Sequence, residues 1–365
     1  MERYTGKSSK VYYLEDTPLG RGGEGSVYAV RGEPDIVAKL YHKERLAPPN
    51  DRMELLAKIE TMYSMNIKTE IDGILRVAWV KDILFDGKGL FVGFVMPRVL
   101  VPYKIFDVAR EDRKTILPNY TWKYSLQYAY NLSWVVWYLH LNNIVIGDCN
   151  MNNIAIGKHG EVVLIDCDSF DIRDPDTGKH YPCTVGLDEM LAPELQTVGS
   201  LRNGNFTKES DDFSLAIHIF RLLMNNADPF GAKVTGTNVD SKTAITANAA
   251  IVNGECPYFR KIPGKAVPPH AMKKNILPPD IAAAFERTFN YTQTTAQKNV
   301  KNRTTAEEWN RILLQYAQAE PNPKLKTCRK HTDHVYSSHL KSCPFCAKAR
   351  QMKAKKILST VMGCF

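Results

Sequence analysis

The chain has 365 residues, 44% of them hydrophobic and 24% charged, which allows one large core or two modest ones and excludes a disordered or fibrous protein. Its net charge of +9 sits almost wholly in the tail, where from residue 319 onward ten Lys/Arg stand against two Asp/Glu; the first 318 residues are near neutral, so nucleic-acid binding is not expected of them. The most apolar stretch, Leu132–Ile146, is broken by His140, Asn142 and Asn143 and is too short for a bilayer, and Met1–Lys10 is polar, so a cytoplasmic protein with no membrane span is expected.

Val11–Tyr41 alternates in strand fashion and is interrupted at Gly20–Gly25 and at the turn Arg31–Asp35, which predicts three antiparallel strands. Asp51–Met65 reads as a helix, capped by Asn50 or Asp51, with Met53, Leu56, Ile59, Met62 and Tyr63 on one face. Ile74–Val80, Asp82–Leu84 and Phe91–Met96 read as further strands, closing a small β-rich unit near residue 100. Beyond it the chain is mainly helical. Trp122–Leu141, Phe213–Met224, Ile281–Phe289 and Thr305–Ala317 carry apolar helical patterns, with two short strands at Ile154–Ile156 and Val162–Ile165 turning at Lys158–Gly160. Thr243–Val252 is a weak helical stretch within a loop-rich region, and Pro321–Pro323 looks like a linker.

Three segments carry chemistry. Gly20, Gly22, Gly23 and Gly25 lead into Ser26-Val27-Tyr28-Ala29-Val30, a strand rather than a helix, so this glycine loop is the tip of a hairpin whose backbone N–H groups can lie over phosphates without side chains in the way. One strand later Val37-Ala38-Lys39 presents an amine from an apolar strand, suited to gripping α- and β-phosphates if an acidic partner on the nearby helix holds it. Glu54 and Glu60 compete for that role, and Glu60 is preferred because it leaves Tyr63 and Ile67 on the inward side. Finally, Asp148 precedes Asn153 by five residues, and Asp166 follows Asn153 by thirteen at the end of a strand hairpin. A carboxylate that orients and deprotonates a hydroxyl, with an Asn and an Asp to hold Mg²⁺, is what phosphoryl transfer needs.

In this order, glycine loop, Val-Ala-x-Lys, Asp-x4-Asn, Asp and Leu191-Ala192-Pro193-Glu194, the chain resembles the eukaryotic-type protein kinase superfamily over roughly Leu14–Ala317. The resemblance implies an α+β, bilobal protein-kinase-like fold, a β-rich N-lobe (1–100), a helical C-lobe (101–318) and a small tail (319–365). It implies an ATP-dependent serine/threonine protein kinase acting on a protein substrate. Asp148, Lys39, Asn153, Asp166 and Glu60 would be its catalytic set, and the glycine loop, Val27, Ala38, Met96 as gatekeeper and Val99 in the hinge would contact the nucleotide. Asp211-Asp212 would open the central C-lobe helix and brace the catalytic loop, and Arg303 would pair with Glu194. Ile-Asp-Cys-Asp-Ser-Phe, Asp228-Pro229-Phe230, Gly254–Phe259 and Cys-Pro-Phe-Cys are similar to a bacterial subgroup of stress-response and tellurite-resistance gene clusters, which implies a phosphatase and a von Willebrand-type protein as partners.

The departures from the pattern carry expectations too. His-Arg-Asp is Ile146-Gly147-Asp148 here, so phosphorylation at Thr177, Tyr181 or Thr184 is not expected to be required. The lysine two after the catalytic aspartate is Asn150, which removes a phosphate-neutralising cation and lowers the expected rate. Asp-Phe-Gly is Asp166-Cys167-Asp168, whose second aspartate is expected to cap a turn rather than bind metal. The alternative function is a nucleotide-binding pseudokinase acting as a regulatory module; a small-molecule kinase ranks third, because Ala192-Pro193-Glu194 with Arg303 is a protein-kinase feature.

Cys149, Cys167, Cys183 and Cys256 are scattered, whereas Cys328, Cys343 and Cys346 cluster, a pattern of a reducing compartment with a metal site. Cys343-x2-Cys346 with Cys328 and either His331 or His334 would complete a tetrahedral structural Zn²⁺ site, with His339 a weaker candidate. Related tails favour the His-x-Tyr position, His334. The basic run Lys348–Lys356 reads as a solvated helix.

Overall fold

The computed structural model describes residues 2–48, 52–203, 205–235, 247–318 and 321–352. Asn50 and Asp51, the two candidate helix caps, lie outside these residues, as do the start of Thr243–Val252 and the end of Lys348–Lys356.

In chain order the N-terminal lobe contains β1 (Arg3–Gly6), β2 (Val11–Tyr13), β3 (Gly20–Arg21), β4 (Gly25–Val30), β5 (Glu33–Tyr41), helix α1 (Arg52–Ser64), the short hairpin β6 (Glu70–Ile71) and β7 (Ile74–Leu75), β8 (Asp82–Phe85) and β9 (Phe91–Pro97). Seven of these strands form one antiparallel sheet in the order β2-β1-β8-β9-β5-β4-β3. β3 and β4 pair as Gly20↔Val27 and Arg21↔Ser26, so the glycine loop is a hairpin tip as its sequence predicts. β5 lies centrally, with Lys39 opposite Val27 on one side and Phe94 on the other. Gly93 on β9 faces Leu40, and a Cβ there would collide with the Lys39 carbonyl, so glycine is what lets the two strands close at this point.

Two expectations change here. Ile74–Val80 is not one strand. Only Ile74–Leu75 pairs as a strand, and Val77–Val80 runs buried between the lobes, which explains its continuous apolar character. Along this run Ala78 N–H donates to the Leu164 carbonyl (2.9 Å), Leu164 N–H to the Arg76 carbonyl (3.0 Å), and the Trp79 indole to the Met62 carbonyl (2.8 Å). The inward face of α1 is also rotated from the expected one: Leu55, Lys58, Ile59 and Met62 are buried while Met53 is exposed.

The second lobe contains β10 (Tyr103–Lys104), α2 (Ile105–Ala109), α3 (Trp122–Leu141), β11 (Ile154–Ile156), β12 (Val162–Leu164), β13 (Ile172–Arg173), β14 (His180–Tyr181), α4 (Pro193–Gln196), α5 (Lys208–Leu223), β15 (Lys233–Val234), α6 (Ala247–Val252), β16 (Lys265–Ala266), α7 (Pro279–Phe289), α8 (Ala296–Asn299) and α9 (Ala306–Ala317). α3 is buried on most sides, with Leu126, Ala129, Leu132, Val136 and Leu139 inaccessible to solvent, and it packs against α5 and α9. Each such Leu or Val contributes about 1.5–3 kcal/mol of burial. α5 starts five residues before its apolar pattern does. Thr207 caps it in a reciprocal pair with Ser210, and the buried carboxyl groups of its first turns, Asp211 and Asp212, each accept backbone N–H groups.

Strands β17 (Leu325–Thr327) and β18 (Val335–Ser337) form a hairpin in the tail, followed by a helical segment at 344–352. Pro321–Pro323 is a docked segment, not a loose linker: Asn322 is buried and donates to the Gln315 and Tyr316 carbonyls at the end of α9. No helix among the described residues is long and apolar enough to cross a membrane.

Candidate active site

Between α3 and β11 the chain makes a tight loop, 146–153, and buried Asp211 at the start of α5 sets its shape. Asp211 accepts the backbone N–H groups of Ile146 (2.7 Å) and Gly147 (2.9 Å) and the His140 imidazole (3.0 Å). His218, two turns further along α5, donates to the Cys149 carbonyl at 2.6 Å; burial pushes its pKa down to about 4, so it is neutral. Gly147 has φ +74°, and a Cβ there would stand 2.7 Å from that of Cys183. Where the kinase pattern places an arginine, this chain instead packs Cys183 directly on the loop.

Asp148 is presented by this loop. Its Oδ2 accepts from the Asn150 amide (2.6 Å) and more distantly from the Asn153 amide (3.4 Å), while its Oδ1 is buried with no hydrogen-bond partner among the described residues. Burial raises its pKa above the ordinary carboxylate value, partly opposed by the Asn150 bond. A carboxylate with one oxygen fixed and the other open has the form of a proton acceptor. The Asn153 amide nitrogen donates to the Asp148 carbonyl at 3.2 Å, which leaves its amide oxygen as the group available to a cation.

Across the cleft, Lys39 Nζ lies 2.6 Å from Asp166 Oδ1 and 2.7 and 2.8 Å from the two oxygens of Asp168. Burial works against the charge of Lys39, but the two carboxylates outweigh it and its pKa stands above the usual lysine value. Burial also opposes ionisation of Asp168, yet Lys39, the Tyr41 hydroxyl (2.8 Å) and nearby Lys58 together hold its pKa below the usual carboxylate value. Asp166 sits at φ 61°, ψ 39°, a left-handed conformation uncommon outside glycine and asparagine and one that functional turns tolerate.

Two expectations are overturned at this point. Glu60 does not meet Lys39; it pairs at the surface with Lys7 (2.6 Å), which the turn between β1 and β2 presents. Asp168 does not cap a turn with its side chain; the carboxylate turns inward to Lys39 and Tyr41.

The cleft holds about 660 Å³, and its wall brings together Gly22, Gly23, Gly25, Val27, Lys39, Met96, Asp148 and Asp166. Gly20, Ala38, Val99 and Asn153 are not part of that wall. The wall also includes Leu55, Lys58 and Arg202, which the sequence did not single out, and Glu54, Asp168, Tyr181 and Thr184, which it raised in other roles. Lys58 was detectable in principle, since it shares the helical stripe of Leu55 and Met62; its lysine type hid it.

The segment from Asp166 to Glu194 is anchored without phosphate. Asp171 accepts from the His180 ring (2.8 Å) and the Cys183 N–H (3.1 Å), and Asp171 N–H donates to the Val145 carbonyl (3.0 Å). At its far end Glu194 meets Arg303 through two parallel bonds. Tyr181, one of the three residues considered for phosphorylation, is buried.

In the tail, the donor atoms of Cys328, His334, Cys343 and Cys346 all lie within 4.8 Å of one another. Cys328 and Cys346 sulfurs are 3.7 Å apart, and His334 Nδ1 is 3.6 Å from the Cys343 and Cys346 sulfurs. Metal–ligand bonds of about 2.3 Å to sulfur and 2.0–2.1 Å to nitrogen give tetrahedral edges of roughly these lengths, so the donor set fits zinc. His331 lies beside His334 with its ring tilted by 40° but is outside the cluster, and His339 turns to the Asn275 carbonyl (3.1 Å). The knuckle docks on the second lobe, with Lys114 paired to Asp333 and Lys348 to Glu111 (2.8 Å).

No protein-family model matches the chain. Protein kinase YegI of Escherichia coli strain K12 is 31% identical over 337 residues, which are 91% of this chain and 48% of YegI. YegI of E. coli O157:H7 matches equally, at 31% over 335 residues, so the chain spans about half the length of the curated relatives it matches most extensively. The meiosis-specific serine/threonine-protein kinase mek1 of Schizosaccharomyces pombe is 30% identical over 116 residues, 30% of this chain and 26% of mek1. Among solved structures, a chain of the CAK complex of Chaetomium thermophilum, described as bound to ATP-gamma-S, superposes with a TM-score of 0.55 at 16% identity, covering 90% of this chain and 95% of that one. At that identity the likeness speaks to the fold.

Proposed function

This chain belongs to the protein kinase superfamily, and within it we propose an active enzyme that transfers the γ-phosphate of ATP to serine or threonine hydroxyls of a protein substrate. The observation that carries the proposal is the convergence of Lys39, Asp148 and Asp166 on one cleft beneath a glycine hairpin. The backbone of residues 22–25 would cover the nucleotide, Lys39 would position its phosphates, and Asp148 would accept the proton of the incoming hydroxyl through its open Oδ1. Met96 would bound the adenine end, with Ala38 and Val99 nearby. Asp166, whose side chain is 43% exposed, and the amide oxygen of Asn153 are hard donors that would hold Mg²⁺, which when bound neutralises phosphate charge. The fold relative described with ATP-gamma-S supports ATP as the nucleotide.

Cys328, His334, Cys343 and Cys346 would hold a structural Zn²⁺ in a tail at 319–365, beside lobes at 1–100 and 101–318. The cysteines of the described residues are all free, which supports a reducing, cytoplasmic setting. A phosphatase and a von Willebrand-type protein remain the partners implied by the sequence resemblance.

One observation favours a second reading. Gly147 and Asn150 replace two family cations, and both carboxylates opposite Lys39 already engage it, which suits a nucleotide-binding pseudokinase acting as a regulatory module. Incubation with γ-labelled ATP, Mg²⁺ and a mixed protein acceptor, followed by mass spectrometry, separates the two. Transfer by the wild type and none by Asp148→Ala supports the kinase, whereas nucleotide binding without transfer in the wild type supports the pseudokinase.

A further inference from the structure

We infer that Asp168 is the positioning residue for Lys39, in the role that the kinase pattern gives to a glutamate on the helix, so that the phosphate-gripping amine is held by the same turn that carries Asp166. This inference rests on the kinase reading above.

The two carboxylates that meet Lys39 are unequal. Asp168 binds Nζ through both oxygens and takes a third bond from the Tyr41 hydroxyl, with its side chain only 2% exposed. Asp166 offers one oxygen from a side chain 43% exposed to the cleft. An exposed carboxylate can exchange the lysine for a cation or a phosphate at small cost, because solvent screens what it loses. A buried one cannot, since breaking its contact leaves an unpaired charge inside the protein. The geometry therefore divides the work: Asp168 keeps Lys39 in place while Asp166 is released to the incoming nucleotide.

The turn itself is rigidly tied. Ser169 donates through both N–H (3.1 Å) and hydroxyl (2.8 Å) to the Asp166 carbonyl, and the Cys167 thiol donates to the Ala78 carbonyl between the lobes (2.8 Å). Lys39 and Tyr41 both project from β5, so strand and turn form one clamp. The carboxylate of α1 that the kinase pattern would use is turned away, since Glu60 is held by Lys7 on the surface, and α1 contributes Lys58, buried in the cleft wall that also holds Asp168.

The test measures binding of a non-hydrolysable ATP analogue with Mg²⁺, steady-state kinetics for ATP and acceptor, and thermal unfolding, all on the full chain. Asp168→Asn should raise the KM for ATP roughly tenfold or more, the scale of losing a paired charge-assisted hydrogen bond, and leave the KM for acceptor unchanged. Tyr41→Phe removes one contact without disturbing charge and should move the same constant in the same direction by less. Combined with Lys39→Met, Asp168→Asn should add no further loss, and Glu60→Gln should behave as wild type. The inference is overturned alone if the wild type transfers phosphate while Asp168→Asn and Tyr41→Phe bind ATP as it does, or if Glu54→Gln or Glu60→Gln produces the loss instead. A wild type that neither binds ATP nor transfers phosphate overturns the kinase reading, and this inference with it.

Discussion

Arg303 grips Glu194 through two parallel N–H···O bonds of 2.7 and 2.6 Å across 109 residues of sequence. The Arg303 side chain is 1% exposed, and its guanidinium donates once more to the Glu209 carbonyl (2.9 Å) and covers the Phe213 ring. The pair ties the end of the segment that follows Asp166 to the base of α5, and through α5 to Asp211 and the 146–153 loop. Removing one partner strands a buried charge, so Arg303→Met should lower stability by roughly 3–5 kcal/mol in chemical denaturation. Arg303→Lys should recover only part of it, because an ammonium cannot reproduce the planar fork.

Asp148 must be ionised to accept a proton, and its raised pKa places the acid limb of the kcat profile above the ordinary carboxylate range. The Asn150 amide bond stabilises the ionised form. Asn150→Ala should therefore move that limb to higher pH, and Asn150→Lys should move it lower and raise kcat by returning a cation to the phosphate. A limb that stays fixed in both variants would assign the titration to another group.

Gly147 combines a positive φ with contact against Cys183. Gly147→Arg, which restores the residue type of the kinase pattern, should lower activity rather than raise it, since the left-handed conformation alone costs about 1–2 kcal/mol and the side chain displaces Cys183. Limited proteolysis across residues 171–191, faster in the variant than in the wild type, checks the displacement.

His218 is neutral in the folded chain down to about pH 4, against about 6.5 when unfolded. Above pH 6.5 neither state carries its proton and the group has no effect. As pH falls from 6.5 towards 4 the unfolded state gains a proton that the folded state refuses, so stability drops by up to roughly 3 kcal/mol. Asp212, pushed up to about 7 by burial, titrates over the same range with the opposite sign. The contribution of His218 is isolated as the difference between the wild type and His218→Gln, followed by unfolding free energies from pH 4 to 7.

The tail should carry about one zinc per chain, bound by four donors. Cys346→Ser and His334→Ala should lose it and lose hydrogen-exchange protection across residues 321–352, whereas His331→Ala should keep both. Metal analysis of the purified variants decides which histidine is the ligand.

Much of the site was legible because its chemistry is local. The hairpin glycines, Lys39 on its apolar strand, and the Asp148, Asn153 and Asp166 spacing each sit within a few residues of the turn or strand that positions them. What failed was pairing between distant segments. Glu60 was favoured for Lys39 from the face of a helix, but its partner Lys7 comes from the turn between β2 and β1, a strand the periodicity did not reveal. Between His331 and His334, which the spacing left open, the β17–β18 hairpin brings His334 to the sulfurs, the position the resemblance favoured.

The amino-acid order by itself determined most of the lobes' element types, the glycine hairpin and the carboxylates proposed here for phosphoryl transfer, since propensity, periodicity and turn chemistry act over short range. Only the tertiary structure decided that Lys39 answers to Asp168, that Cys183 fills the place of an arginine, and that His334 completes the sulfur cluster. Those outcomes depend on which side chains are buried together, and burial is a property of the packed chain: it fixes which charges must be paired and with what.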